Sequence, residues 1–377
     1  MPVFAAEKND SLSPSDGEKA RVRGFGDCMD TTKSNSTGVT SRELVARALN
    51  GLETPRVPTG PLAVHICARL AGVSLRRYTT DARTLADCVI RYYERFRPDA
   101  VWVSADTWVS AQAMGAAVGA TGEDQPLGGT GEPLVRTAAD IACIPPPDPS
   151  SQGRYPLMLE ALQRVVTALG RDVFVVACFD QYPFSLAAAL MGINEIMLKL
   201  VDDPPFVEAL MERCMEYSLA YGRALAGAGA DMLSGGDSPA GLVGPRLYRA
   251  AALPFEQRLI AGLKSATGKP VSLHICGDGT PILADMASSG ADVLEIDHKV
   301  DLAHACEVVP PSIALWGNLD PVSLLAQGSP DDVRRAVREA LETVKARGRR
   351  RFVLSSGCTL AVETPPENLE AMLDNLS

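Results

Sequence analysis

The residues with the clearest chemistry are His274 and Cys276 in the stretch Val271–Gly277, VSLHICG. A run of β-branched and apolar residues that ends in glycine reads as a buried strand leaving a sheet. Residues two apart on a strand point to the same side, so the imidazole and the thiol are expected together at its C-terminal end. Imidazole and thiolate are two of the ligand types that zinc takes in tetrahedral sites. A buried His–Cys pair with no ligand role satisfies the same two positions. Cys358 follows a second apolar run and a glycine, FVLSSGC, which places it at a strand end as well. One nitrogen and two sulfurs with a fourth position open is the pattern of catalytic zinc, and thiolate-rich zinc suits activation of a thiol. A small residue in a tight turn is the other reading of Cys358.

Strands and helices must carry these groups. Eight strand candidates lie near 57–62, 100–105, 173–179, 231–236, 270–276, 292–297, 312–317 and 352–357. Amphipathic stretches separate most of them: Thr84–Arg97, Tyr155–Leu169, Glu195–Ala228 with a break at Asp203-Pro204-Pro205, Gly244–Thr267 and Pro330–Gly348. Thr40 and Glu43 form a capping-box pattern, and Ser329 with Pro330 and Asp332 is a second helix start. Alternating strands and helices imply parallel pairing with crossover helices, and eight of each is the count of an α/β (β/α)8 TIM barrel. A doubly wound open sheet is the alternative. Residues 1–38, rich in Ser, Thr, Asp, Gly and Lys, read as a flexible N-terminal extension, and 39–377 as a single barrel domain. The Pro/Gly-rich stretch 121–153 reads as a lid or binding loop within it.

In such a barrel the strand C-termini bear the active site. Here they carry Asp106, the run Asp180-Gln181-Tyr182, Asp237-Ser238, Asp297 and Asn318. Asp106, Asp237 and Ser238 are the catalytic candidates. Asp180, Tyr182, Asp297, Asn318 and His65 are candidates for substrate binding. His65-Ile66-Cys67 echoes His274-Ile275-Cys276, although a helical or loop histidine beside a buried cysteine explains it as well. Asp237 or Glu295 is a candidate fourth metal ligand.

The 377 residues carry a net charge of −10, which argues against a nucleic-acid footprint or an anionic membrane surface. No apolar run of about 18 residues is present, and the first residues show no secretory pattern, so a cytoplasmic protein is expected. Nine scattered cysteines suggest reduced thiols.

Several motifs together resemble the uroporphyrinogen decarboxylase superfamily, and within it the cobalamin-dependent methyltransferase branch. They are GPLAVHICARLAGVSLRRY, DAVWVSADTWVSAQAMGA, FDQYPFSLAAALMG, GGDSPAG, HICGDGTPILADMASSGADVLEID, GNLDP and SSGCTLAVETPPENLEAM. The resemblance runs from about Thr40 to Leu376 and implies the same (β/α)8 barrel. Decarboxylases carry an arginine-rich segment where this chain reads Thr59-Gly60-Pro61-Leu62-Ala63. Their strand-2 aspartate and strand-4 serine correspond to Asp106 and Ser238, whereas their tyrosine falls at Ala189 and their histidine at Cys358. The methyltransferase pattern of His-x-Cys with a distant Cys is complete in His274, Cys276 and Cys358. The resemblance implies zinc as cofactor and a corrinoid (cobalamin) supplied by a partner corrinoid protein. A small-molecule methyl donor or acceptor, such as a thiol or a methyl ether, completes the reaction, and a homodimer is compatible with it. A cofactor-independent decarboxylase and a non-catalytic corrinoid- or tetrapyrrole-binding barrel are the alternatives.

Overall fold

The computed structural model describes residues 38–374, Thr121 excepted, so the extension assigned to 1–38 lies, but for Gly38, outside the described residues. Seven parallel strands form one curled sheet in the order β1 (Ala100–Val103), β4 (Phe174–Gln181), β5 (Met232–Gly236), β6 (Ser272–Ile275), β7 (Val293–Ile296), β8 (Ala314–Leu319) and β9 (Phe352–Ser356). A two-stranded hairpin, β2 (Val118–Gly119) and β3 (Gly128–Gly129), stands apart from it.

The eighth expected strand, near 57–62, is not a strand but an extended segment with one bridge, Thr59 to Leu354. Pro58 and Pro61 have no N–H to give a ladder. The segment still hydrogen-bonds on both sides. Gly60 N donates to Leu354 O at 2.9 Å, and Asp99 N and Ala100 N donate to Thr59 O at 2.9 and 3.1 Å. An α/β fold with a curled seven-stranded parallel sheet therefore stands where eight regular strands were expected.

Strand alternation divides the core into two. Val101, Val103, Val175 and Ala177 face the helices in the larger cluster. Ala100, Trp102, Phe174, Val176, Met232, Trp316 and Val353 face inward and pack on one another. Trp102 and Trp316 meet edge to face with centroids 6.0 Å apart, and Trp316 Nε1 donates to Gly60 O at 2.7 Å. Only glycine fits there, because a Cβ on Gly60 would lie 2.3 Å from the Trp316 ring.

Two helices start where the caps predict: Thr40 Oγ1 accepts from Glu43 N to open Ser41–Leu49, and Ser329 and Asp332 form a reciprocal box on Pro330–Ala346. The helix expected from Thr84 starts two residues earlier, at Ala82, because Asp81 accepts from Thr84 N and caps it. The break at Asp203 separates Ile193–Asp202 from Pro204–Gly227, since Pro204 can only start a helix. Among the described residues no single helix is long and apolar enough to cross a membrane.

Candidate metal centre

His274 is the third residue of β6, and its ring lies inside the sheet's C-terminal end. Its Nδ1 donates to Glu295 O on β7 at 2.9 Å, which fixes the ring and aims Nε2 at Cys276 Sγ, 3.0 Å away. Cys276 lies one residue beyond β6. Gly277 then turns the chain with φ 91°, a conformation that glycine adopts at no steric cost. Cys358 arrives from β9, and its Sγ stands 3.4 Å from that of Cys276. Gly357 lets it approach, because a Cβ there would lie 2.3 Å from His298 N. The three ligand atoms all lie within 4.8 Å of one another, a group able to hold a metal ion.

The electrostatics of the cluster are coupled. Burial opposes a charge on His274, but the Cys276 sulfur and the Glu295 carboxylate outweigh it and raise the ring to about 9. The Cys358 thiol donating to Cys276, with His274 beside it, holds Cys276 well below the usual thiol range, and Cys358 is raised in exchange. Supporting groups fix the loop. Cys276 N donates to Ser238 Oγ at 3.3 Å, and Gly277 N donates to Asp297 Oδ2 at 2.8 Å. Glu295 turns its carboxylate away from the cluster to accept from Ser234 Oγ at 2.8 Å and from Ser272 Oγ. Neither it nor Asp237 belongs to the metal-binding group.

Cys276 opens into a cleft of about 820 Å³, which Ser238 and Asp297 also line. Trp108, Ala116, Ala117, Ala188, Ala189 and Leu242 supply much of its wall, and Gly129, Gly131, Glu132 and Pro133 bring the Pro/Gly-rich stretch into it.

The remaining sequence candidates lie elsewhere. Asp106 is buried and gripped by both terminal nitrogens of Arg154, while its Oδ1 also accepts from Trp108 N at 2.8 Å. Asp180 accepts from Ser110 N at 2.8 Å, and burial pushes its carboxyl up to about 7. Asp237 accepts from the N–H and hydroxyl of Ser185, at 2.8 and 2.6 Å. Tyr182 is fully buried and donates to Ser272 O at 2.6 Å, facing the core instead of the cleft. Asn318 donates to Asp297 O and Val300 O, at 3.2 and 2.7 Å, and so braces the turn after β7. His65 Nε2 sits 2.7 Å from Ala105 O at the first turn of a short helix, and Cys67 beside it is buried. Arg154 and Trp108 were not among the sequence candidates. Arg154 precedes a helix 48 positions from Asp106, and no local pattern links them.

Comparison with known proteins adds a lineage to this geometry. A methylcobamide:CoM methyltransferase MtbA from Methanosarcina acetivorans is 31% identical over 226 residues, 59% of this chain and 64% of the relative, so the chain spans less than two thirds of that relative's length. A uroporphyrinogen decarboxylase from Prochlorococcus marinus is 28% identical over 289 residues, 75% of this chain and 79% of the relative. A solved methyltransferase from Methanosarcina mazei superposes with a TM-score of 0.81 at 25% identity, covering 89% of this chain and 98% of the other. The family profile described as uroporphyrinogen decarboxylase (URO-D) matches residues 40–376, from the cap of the first helix to beyond the start of the last. The chain belongs to the uroporphyrinogen decarboxylase (URO-D) family.

Proposed function

We propose that the protein is a zinc-dependent methyltransferase that moves a methyl group between a corrinoid on a partner protein and a small substrate such as a thiol or a methyl ether. The observation that carries this reading is the convergence of His274 Nε2, Cys276 Sγ and Cys358 Sγ at one end of the cleft. The donor set fits zinc: one imidazole held through its other nitrogen, two thiols with Cys276 already favoured as thiolate, and three protein ligands that leave a position for substrate. Held by His274, Cys276 and Cys358, a zinc ion would supply Lewis acidity, lowering the proton affinity of a bound thiol or polarising an ether oxygen.

The chain's own residues bind and orient. Ser238 and Asp297 hold the backbone of Cys276 and Gly277, Glu295 O orients His274, and an apolar wall flanks the cleft beside Cys276. The mouth above, ringed by the turns that follow the strands, is the face offered to the corrinoid protein. A decarboxylase acting on a polyanionic porphyrinogen gains less support. No arginine lines the cleft among the described residues, and Ala189 and Cys358 stand where decarboxylases have tyrosine and histidine.

The test combines metal analysis with methylcobalamin as probe. About one zinc per chain is expected, lost in Cys358→Ala, with thiol-dependent loss of the methylcobalamin spectrum. A zinc-free protein that decarboxylates uroporphyrinogen would refute the proposal.

A further inference from the structure

Trp108 is the one phenylalanine, tyrosine or tryptophan among the described residues of the cleft wall. The other two tryptophans, Trp102 and Trp316, are buried in the inner core. Trp108 is half-buried and fixed from two sides. Its backbone N–H donates to Asp106 Oδ1 at 2.8 Å, and Asp106 is held by the forked guanidinium of Arg154. Arg154 is itself buried and also donates to Gln112 Oε1 at 2.6 Å and to Thr79 O at 3.1 Å. On its far side the indole lies flush against the hairpin, where a Cβ on Gly129 would stand 2.3 Å from Cη2 of the ring. A buried ion pair contributes position more dependably than stability, so an assembly of this kind is suited to holding a partly exposed ring in one place.

The surroundings say what the ring is held for. Ala116, Ala117, Ala188, Ala189, Pro133 and Leu242 share the wall with it, and the charged lining residues are Glu132, Asp297, His298 and Lys299. Asp297 is occupied by the N–H groups of Gly277 and Lys299. Among the described lining residues there is no guanidinium for a sulfonate, carboxylate or phosphate tail, and the one ammonium belongs to the exposed Lys299. We propose that Trp108 determines substrate specificity: it is the platform on which a flat, uncharged aromatic body lies while the sulfur or oxygen attached to it reaches the Cys276 end of the cleft. This deepens the methyl-transfer reading and rests on it for the role of that heteroatom.

The test begins with zinc content, which judges the metal reading by itself. Calorimetry then follows binding of phenylmethanethiol, ethanethiol and 2-mercaptoethanesulfonate, alkyl thiols of similar acidity, to the zinc-loaded protein. Benzyl methyl ether, which needs no thiolate, is titrated with and without zinc, so the platform is judged even if the metal reading fails. Phenylmethanethiol is expected to bind about tenfold tighter than ethanethiol, the ring's stacking and burial supplying the difference. Trp108→Ala is expected to remove that factor, for benzyl methyl ether as well, while leaving ethanethiol and zinc content within about twofold; Trp108→Phe is expected to restore most of it. Gly129→Ala, which displaces the ring without removing it, is expected to weaken the aromatic probes. The proposal is overturned if 2-mercaptoethanesulfonate binds as tightly as phenylmethanethiol. It is equally overturned if Trp108→Ala weakens every probe alike, or if either variant leaves the aromatic probes unchanged.

Discussion

Asp180→Asn tests whether the acid at the end of β4 is a buried structural group. Asp180 is 4% exposed and sits at φ 80°. Its Oδ2 accepts from Ser110 N, while its Oδ1 has no protein partner. Burial is the main cause that lifts its carboxyl to about 7 from 3.8, with Asp106 adding and the Ser110 N–H and Arg154 opposing. The folded protein therefore keeps a proton that the unfolded chain releases near pH 4, and stability falls as pH rises through that window. At about 1.4 kcal/mol per unit, the stretch from pH 5.5 to 7 is worth about 2 kcal/mol, with little further change above 7. Asparagine accepts the same Ser110 N–H and does not titrate. Urea unfolding of both proteins at half-unit steps from pH 5.5 to 8.5 should show the wild type losing about 2 kcal/mol relative to the variant, nearly all of it by pH 7.5. A constant difference across the series, or a variant that keeps wild-type stability but loses substrate binding, would refute the reasoning.

Arg154→Met leaves the Asp106 carboxylate buried without its partner and should cost about 3–5 kcal/mol in chemical unfolding; a loss below about 1 kcal/mol would show the pair to be dispensable. Tyr182→Phe removes the hydroxyl that donates to Ser272 O and should cost about 1–2 kcal/mol without altering zinc content or ligand binding. A change in ligand affinity there would put Tyr182 in the cleft. With Cys276 and Cys358 sulfurs 3.4 Å apart, diamide should join them in chelator-treated protein, removing a pair of titratable thiols, and zinc should prevent it. A chelator-treated protein that keeps every thiol would contradict this geometry.

The candidate metal group was legible in two steps. His274 and Cys276 stand at strand spacing, whereas Cys358, 82 positions away, was joined to them by its own strand end and by the family resemblance. Seven strands were legible from apolar runs, and the eighth was not, because Pro58 and Pro61 interrupt the ladder of a segment that otherwise sits in a strand's place. The strand-end aspartates were harder to read. Asp106, Asp180, Asp237 and Asp297 each accept a backbone N–H, from Trp108, Ser110, Ser185 and Gly277, because a short carboxylate at a turn satisfies orphan amides. A catalyst and a turn-former look alike at that level. Arg154 and Trp108 were hidden for another reason: their contacts join elements far apart in sequence, Arg154 reaching Asp106 and the Trp108 ring lying against Gly129.

The inner layer built around Trp102 and Trp316 has a kinetic corollary. It is apolar and buried, and the cleft opens on the side where the strands end. On the methyl-transfer reading, the corrinoid protein docks over that opening. A small molecule that uses it must then enter before the partner lands and can leave only after it departs. The fold would thus impose an order of arrival, and excess corrinoid protein would slow turnover by closing the door on an empty room.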